Sequence, residues 1–491
     1  MKQRVIWLVL VALGIGTFLG AELDSKSWNQ VKKQFRVRYS SKVDSEREAA
    51  VRALSGKDDR RVVGLVFAVL GNSREKQFVK EAAIQVLGTF RDEKAVTEIF
   101  KKWKKLRDAG VRGQVLSVLA ENIGGKKLED ILLKAIKSRD PVTRVVAVDA
   151  LGAMKSEKGF KVIDKALKDP VKSVQVSAIQ ALAGYGDKRA VEALIEGMGK
   201  VPSGDRLEDD YARALHGLTG KNLGSSQVQW QSWWNANKDK PLSGPGHEAA
   251  RPSGGGGGGD ESITFFGIKL KSRRVIFVID LSGSMDKKLG RKDEMKQKLG
   301  VVVTGEGGKE AQKKQGLDWG KIDKKVDLAK EELVRAIESL RKDAHFNIIW
   351  YNTSVGVWKD GSLVEASPKA KSDAISWIRR QKPQGETDIR GALKKAIFLQ
   401  SSKAGEEGGP GVVLTGDLEE GGDTIVFLTD GWGFKNQKEQ DPGKTLEAVK
   451  KWNKIPKMKI YTVGISDQPG EHDRELLRKL AEQNGGSYRA P

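Results

Sequence analysis

Residues 275–285 read VIFVIDLSGSM, an apolar run that ends in Asp280 and a short loop of serine and glycine. An apolar run bounded by turn residues is typical of a buried strand. Similar runs follow at 346–350, 425–428 and 460–463, and helical patterns alternate with them at 326–340, 369–380, 389–400, 445–453 and 473–483. We therefore predict a doubly wound α/β domain over residues 263–491, with a mainly parallel sheet covered by helices on both faces.

Several polar residues lie where the predicted strands end. Asp280 directly follows the first strand, Asp430 comes at the end of the strand at 425–428, and Thr387 lies in the loop that opens a helix. The carboxyl ends of parallel strands meet at one edge of a sheet, so we expect these residues to lie together. Carboxylate and hydroxyl oxygens suit a hard cation, which predicts a Mg²⁺ site, with Mn²⁺ or Ca²⁺ as alternatives. The predicted ligands are Asp280, Ser282, Ser284, Thr387 and Asp430.

A helix cap or a turn would explain any one of these segments, but all three in this order are far harder to obtain by accident. Together they resemble a von Willebrand factor A domain over roughly residues 264–491. Residues 275–285 resemble the family's first strand and metal loop, residues 387–393 its second loop, and FLTDG at 427–431 its third. The resemblance implies a Rossmann-like fold and a metal ion adhesion site, in which the five residues act directly or through water.

The same resemblance implies a binding protein and not an enzyme, because the metal of such a site captures a carboxylate from a partner. A hydrolase is not favoured by the residues themselves. No histidine lies near Ser282 or Ser284 in the sequence, and DLSGS is not a nucleophile elbow.

The sequence departs from the family's pattern in four places. Glu386 stands where the family often has glycine. A basic insertion at about residues 286–320 is expected to lie over the binding face, and a second insertion occupies about residues 403–422. The strand-like residues 487–489 end the sequence where the family usually has a closing helix. The candidate rim for a partner consists of Glu386, Lys287, Lys288 and Arg291; the alternative for the basic part is a disordered, solvated loop.

The first half of the chain repeats with a period of about 32 residues. Leucines recur within similar local sequences, at Leu54, Leu87, Leu119, Leu151, Leu182 and Leu215, and a second apolar stripe recurs at Val96, Leu128, Phe160 and Val191. Two amphipathic helices per period predict an α-solenoid over residues 45–220, which resembles HEAT repeats. Such a solenoid is either a concave surface for a second protein partner or a rigid spacer.

Residues 221–240 contain Trp230, Trp233 and Trp234 close together. We expect them to cap the open end of the solenoid, and the alternative is an exposed binding patch. Residues 241–262 are rich in proline and include six consecutive glycines at 254–259, which predicts a flexible linker that acts as a hinge before the α/β domain.

The N-terminus has the layout of a signal peptide. Lys2 and Arg4 precede an apolar run at 5–19, and the small residues Gly20 and Ala21 follow it. We predict a signal peptide at 1–21 and a connecting segment at 22–44, with an uncleaved membrane anchor as the alternative. The protein is then exported to the periplasm, the cell envelope or the exterior.

The amino-acid composition excludes several kinds of site and favours one class of partner. The chain has no cysteine, which excludes disulfides, thiol catalysis and zinc–thiolate sites, and its four histidines are scattered. A formal net charge of +22 favours anionic partners, or else reflects a solvated, lysine-rich surface.

The sequence thus predicts an exported adhesion or scaffold protein that captures an acidic group of a protein partner through Mg²⁺. One alternative is an envelope-associated structural protein whose basic surface binds anionic lipid or polysaccharide at the membrane surface. Another is an assembly factor for an ATPase-type complex. We expect no nucleic-acid partner, because an exported protein meets little nucleic acid.

Overall fold

The computed structural model describes residues 23–106, 108–123, 126–242, 263–299, 317–399, 418, 421–431, 441–465 and 471–490. The predicted signal peptide, nearly all of the glycine linker and most of the second insertion lie outside these residues. The described chain forms two compact units that divide between Leu128 and Glu129. Among the described residues, no helix is both long enough and apolar enough to cross a membrane.

The first unit is helical, as predicted. Its helices are α1 (Ser25–Tyr39), α2 (Asp44–Arg52), α3 (Arg60–Leu70), α4 (Gln77–Leu87), α5 (Glu93–Trp103) and α6 (Ala109–Asn122), and α7 (Lys126–Ala135) spans the division. The repeated leucines Leu54, Leu87 and Leu119 are all buried, which explains their period. The segment predicted as a connection instead contains α1, which packs against α2 through the buried pair Val31 and Phe35.

The second unit begins with the rest of the solenoid. Its helices are α8 (Pro141–Ala153), α9 (Glu157–Ala166), α10 (Lys172–Tyr185), α11 (Lys188–Met198), α12 (Leu207–Thr219) and α13 (Gln227–Asn237). Asp140 caps α8 by accepting hydrogen bonds from the backbone of Val142 and Thr143, and Pro141 is the first residue of that helix. Trp230 and Trp234 of α13 are buried and α13 packs on α11, which is the arrangement expected of a cap.

The α/β domain follows in the same unit. Its strands are β1 (Ile263–Phe265), β2 (Ile268–Leu270), β3 (Arg274–Asp280), β4 (His345–Tyr351), β5 (Val355–Val357), β6 (Val364–Glu365), β7 (Thr424–Thr429), β8 (Lys459–Gly464) and β9 (Gly485–Arg489). Its helices are α14 (Lys292–Leu299), α15 (Lys325–Glu338), α16 (Pro368–Arg380), α17 (Ile389–Phe398), α18 (Pro442–Trp452) and α19 (Glu471–Gln483), with a 3₁₀ helix at Gly283–Asp286.

The sheet runs in the order β5-β4-β3-β7-β8-β9, and β6 pairs with β4. Strands β4, β3, β7, β8 and β9 are parallel, whereas β5 and β6 pair antiparallel with β4. Side chains alternate across β3: Phe277 and Ile279 pack on the side of α15 and α16, and Ile276 and Val278 on the side of α17 to α19. Each predicted strand and helix of this domain is confirmed. The β1–β2 hairpin, β5, β6 and α14 are additions.

The solenoid contacts the α/β domain directly, where the sequence suggested only a hinge. The guanidinium of Arg206, just before α12, donates to the backbone carbonyls of Asp423 and Lys457. Lys459 in turn donates to the carbonyl of Arg206 at 3.2 Å and lies 3.5 Å from Asp210. Arg206 and Lys459 are almost wholly buried. Burial alone would raise the pKa of Asp210, but the charges of Lys459 and Arg206 outweigh it and lower that pKa.

Further contacts extend this interface along the sheet. Lys457 pairs with Asp149 of α8 at 3.1 Å, and Lys172 at the start of α10 lies 3.3 Å from Asp423. Lys271 pairs with Glu208 at 2.9 Å. The residues on the α/β side lie before or at the starts of β3, β7 and β8. The solenoid helices of the second unit therefore pack against the amino edge of the sheet, and the carboxyl edge lies at the opposite ends of the same strands.

Candidate functional site

The two predicted acidic ligands come from neighbouring strands. β3 and β7 are paired in parallel register, with Ile279 opposite Leu428. Asp280 is the last residue of β3, and Asp430 follows the last residue of β7. Both carboxylates therefore lie at the carboxyl edge of the sheet, in the place that strand order predicts.

Asp280 is the fully buried centre of the site. Its Oδ1 accepts a hydrogen bond from the backbone of Ser282 at 2.8 Å, and its Oδ2 accepts one from the Thr429 hydroxyl at 2.8 Å. The Tyr351 hydroxyl lies 3.4 Å from the same Oδ2. Burial raises the pKa of Asp280 to about 6; hydrogen bonds from Ser282 oppose this shift and the negative charge of Asp430 adds to it.

Thr429 and Tyr351 were not predicted from the sequence. Thr429 could have been found, because it directly precedes Asp430 and ends an adjacent strand. Tyr351 is the last residue of β4, but its hydroxyl also donates to the Leu428 carbonyl at 2.9 Å, a contact that no sequence motif indicates.

The two serines connect the carboxylates. The hydroxyl oxygens of Ser282 and Ser284 lie 2.9 Å apart, and Ser284 donates to Oδ1 of Asp430 at 2.8 Å. Four of the five predicted ligands are thus linked: Asp280 through the backbone N–H of Ser282, and Ser282, Ser284 and Asp430 through their side-chain oxygens.

Thr387 lies in a loop that is fastened to the serine loop. The backbone N–H of Gly283 donates to the Gly385 carbonyl at 2.9 Å, and that of Gln384 donates to the Leu281 carbonyl at 2.8 Å. Gly385 has a positive φ of 71°, which favours glycine. Thr387 follows two residues after Gly385 and is half-buried, and the side chain of Asp388 then caps α17.

The site also contains a cation that the sequence did not indicate. Lys325, the first residue of α15, places its ammonium 2.9 Å from Oδ2 of Asp430. The side chains are 9% and 6% exposed, so the pair is shielded from water. The two residues are far apart in sequence, and a lysine at a helix start is ordinarily interpreted as solvated.

The predicted rim is exposed. Lys287, Lys288 and Arg291 lie on the surface just after the serine loop, and Glu386 is exposed beside Thr387. The described part of the first insertion is not a solvated loop, because Leu289 and Met295 are buried in the core below it. Residues 300–316 of this insertion lie outside the described residues.

The oxygens present fit a hard cation. Two carboxylates and two serine hydroxyls lie together at the strand ends, and magnesium commonly takes one or two carboxylates with water completing its shell. In the part of the chain that the structure describes, no group of three or more histidine or acidic side chains is gathered to hold a metal. Any cation site here therefore depends on hydroxyl oxygens as well.

Comparisons with known proteins agree with the two halves of the fold. Residues 128–215 match the family model for HEAT repeats, and residues 317–490 match that for the von Willebrand factor type A domain. The second match includes Lys325, Thr387 and Asp430 and begins after the serine loop.

Curated relatives are similar over part of their length. Inter-alpha-trypsin inhibitor heavy chain H3 of Pongo abelii is 25% identical over 224 residues, which are 45% of this chain and 20% of that protein. Von Willebrand factor A domain-containing protein 3A of Homo sapiens is 31% identical over 166 residues, which are 33% of this chain and 12% of that protein. The chain thus spans about a fifth or less of the length of these relatives.

Among solved structures, the von Willebrand factor type A protein from Catenulispora acidiphila is 20% identical, with a TM-score of 0.30, over 45% of this chain and 39% of that one. The two family matches agree with the helical and α/β regions of the structure. The chain carries HEAT repeats followed by a von Willebrand factor type A domain.

Proposed function

We propose that this chain is a metal-dependent binding protein, whose carboxyl sheet edge holds Mg²⁺ and uses it to capture an acidic group of a protein partner. The observation that carries the proposal is the linked cluster of Asp280, Ser282, Ser284 and Asp430. Thr387 would complete the protein's ligands from the adjoining loop. The bound cation would supply a positive charge with a coordination position left for a partner's oxygen.

The chain's own residues prepare this edge in two ways. Thr429 and the backbone of Ser282 hold the Asp280 carboxylate in one orientation, so its oxygens need no rearrangement. The exposed cations Lys287, Lys288 and Arg291 border the serine loop and would raise the rate of encounter with an acidic partner. Glu386 on the other side would select against partners whose negative charge extends towards it.

The test is a titration of Mg²⁺ into the purified chain by calorimetry, first in the wild type and then in Ser282→Ala/Ser284→Ala. Both serines contribute oxygens to the cluster, so the double variant should lose at least about tenfold in affinity, which corresponds to about 1.4 kcal/mol. Ser354→Ala is the matched control, since Ser354 is an exposed serine on the neighbouring loop after β4.

Equal Mg²⁺ binding in the wild type and the double variant would contradict the proposed site, and so would an absence of binding in the wild type. The acidic partner is tested separately, by affinity capture from an envelope fraction with and without EDTA. Capture that EDTA does not diminish would contradict a metal-mediated contact.

We also propose that the protein acts outside the cytoplasm, on the basis of the signal-like residues 1–21. Mass spectrometry of the N-terminus of the protein isolated from its host tests this proposal. A mature chain that begins near residue 22 supports export. A chain that retains residues 1–21 and fractionates with cytoplasmic proteins contradicts it.

A second candidate function is binding to anionic lipid or polysaccharide. The observation that favours it is a row of exposed lysines along α9 and just beyond it, formed by Lys158, Lys161, Lys165 and Lys168. Binding through such a row falls steeply with salt and is indifferent to EDTA. Sedimentation with anionic vesicles at low and high salt therefore separates it from the metal-dependent function.

A further inference from the structure

Lys325 occupies the position from which a cation would neutralise Asp430. Its ammonium lies 2.9 Å from Oδ2 of Asp430, while Oδ1 of the same carboxylate accepts from Ser284. Both side chains are more than nine-tenths buried. A buried carboxylate needs a partner of opposite charge, because its removal from water is otherwise very costly.

The backbone around Lys325 holds the ammonium there. The N–H of Lys325 donates to the Lys287 carbonyl at 3.1 Å, and Lys288 and Lys324 form an isolated antiparallel bridge. These contacts join the start of α15 to the beginning of the basic insertion, directly after the serine loop. The lysine is therefore fixed by the same segment that follows the predicted metal ligands, and its place in the site follows from the fold.

A divalent cation and this ammonium compete for one carboxylate. Two positive charges that contact the same oxygens repel each other, and water screens this repulsion little at a buried site. Binding of Mg²⁺ to Asp430 would then require Lys325 to leave Oδ2. If Lys325 instead shared the carboxylate with the cation, the affinity of the site for Mg²⁺ would be lower.

We propose that Lys325 is an internal counterion that holds the site together without metal and is displaced from Asp430 when a divalent cation binds. The displacement rests on the proposed function, whereas the counterion role does not. Lys325 thereby sets a threshold: it lowers the affinity for Mg²⁺, so that metal is held tightly only when a partner's carboxylate adds its charge to the site.

Lys325→Met tests the displacement, because methionine removes the charge and retains an unbranched side chain. Calorimetric titration of the full chain with Mg²⁺ alone should give a Kd lower than that of the wild type by about fivefold or more, a typical size for coupling between two ligands. Lys324→Met is the matched control: the neighbouring lysine pairs with Asp286 on the exposed surface, and its loss should leave the Kd unchanged.

Thermal unfolding in a chelator tests the counterion role without metal. Lys325→Met should lower the Tm well below those of the wild type and Lys324→Met, because Asp430 is left without its cation. Lys325→Met/Asp430→Asn should restore much of the loss. A double-mutant cycle with no coupling between Lys325 and Asp430 in the chelator would overturn the counterion role.

The two proposals fail separately. If the wild type binds Mg²⁺ and Lys325→Met binds it with the same Kd, the displacement is overturned and the proposed metal site stands. If Lys325→Met binds Mg²⁺ and the wild type does not, Mg²⁺ does not displace Lys325 in the wild type, and both the displacement and the metal site proposed for the wild type are overturned. If neither protein binds Mg²⁺, the proposed metal site and the displacement are both overturned, and coupling in the chelator then supports the counterion role alone.

Discussion

The guanidinium of Arg206 donates a hydrogen bond of 2.9 Å to the backbone carbonyl of Lys457, and it thereby ties the last solenoid repeat to the loop before β8. Arg206 is 3% exposed, and Lys459, two residues after its acceptor, is 1% exposed. Buried charges of both domains meet here at the amino edge of the sheet. The candidate metal site lies at the carboxyl edge, so the solenoid repeats of the second unit contact the sheet at the opposite ends of its strands.

Replacing Arg206 by alanine should strongly destabilise the second unit. The variant removes donors from two buried carbonyls and leaves the buried Asp210 with less positive charge around it. Breaking a buried charged pair on one side costs about 3–5 kcal/mol. The free energy of unfolding from urea denaturation measures this loss. Arg341→Ala is the control, because Arg341 pairs with Asp343 at the exposed surface, and it should change the stability by less than about 1 kcal/mol.

Cutting the chain in the glycine run should leave the two halves associated. A protease site introduced at residues 254–259 allows the folded protein to be cleaved there, and size-exclusion chromatography then reports whether the fragments co-elute. We expect co-elution at moderate salt, because the interface is formed by buried hydrogen bonds and ion pairs and does not depend on the linker. Separation of the fragments would show instead that the glycine run acts as a free hinge. Lys459→Met in the same background should weaken the association.

The contribution of Asp280 to the stability of the metal-free protein should fall as the pH rises from about 4 to about 6. Burial raises the pKa of Asp280 from 3.8 to about 6, so the folded protein holds this proton more tightly than the unfolded chain. The contribution of Asp280 to stability is complete below the unfolded-state pKa and is lost as the pH passes through the folded-state pKa. Urea denaturation in a chelator across this range measures the slope. In Asp280→Asn this downward contribution to the pH dependence of the unfolding free energy should be absent. Equal slopes in the variant and the wild type would contradict the prediction.

Much of the α/β fold follows from local sequence, because each central strand is a short apolar run that ends in a turn. The placement of Asp280 and Asp430 at one edge follows as well, since parallel strands align their carboxyl ends. Lys325 could not be predicted in the same way. Its contact with Asp430 depends on where α15 begins in space, and local sequence does not specify that position.

The interface between the domains was missed for a related reason. Charged residues such as Arg206 and Lys459 are solvated in most proteins, so a sequence alone gives no reason to place them in a buried contact. The helix α1 was missed because only two of its residues, Val31 and Phe35, are buried, and two apolar positions do not establish a helical period. The solenoid was easier to predict from its repeated leucines, since six buried positions recur with the same period.

Trp230 provides a test of the cap at the end of the solenoid. Its ring is fully buried, and its Nε1 donates to the Gly224 carbonyl at 2.8 Å. Trp230→Ala should therefore destabilise the second unit by about 3–5 kcal/mol, the usual cost of truncating a large buried aromatic side chain. Val228→Ala on the same helix is the control, because Val228 is 74% exposed, and it should change the stability by no more than about 0.5 kcal/mol. If Trp230→Ala is as mild as Val228→Ala while binding to a captured partner is lost, the tryptophans form an exposed binding patch and not a cap.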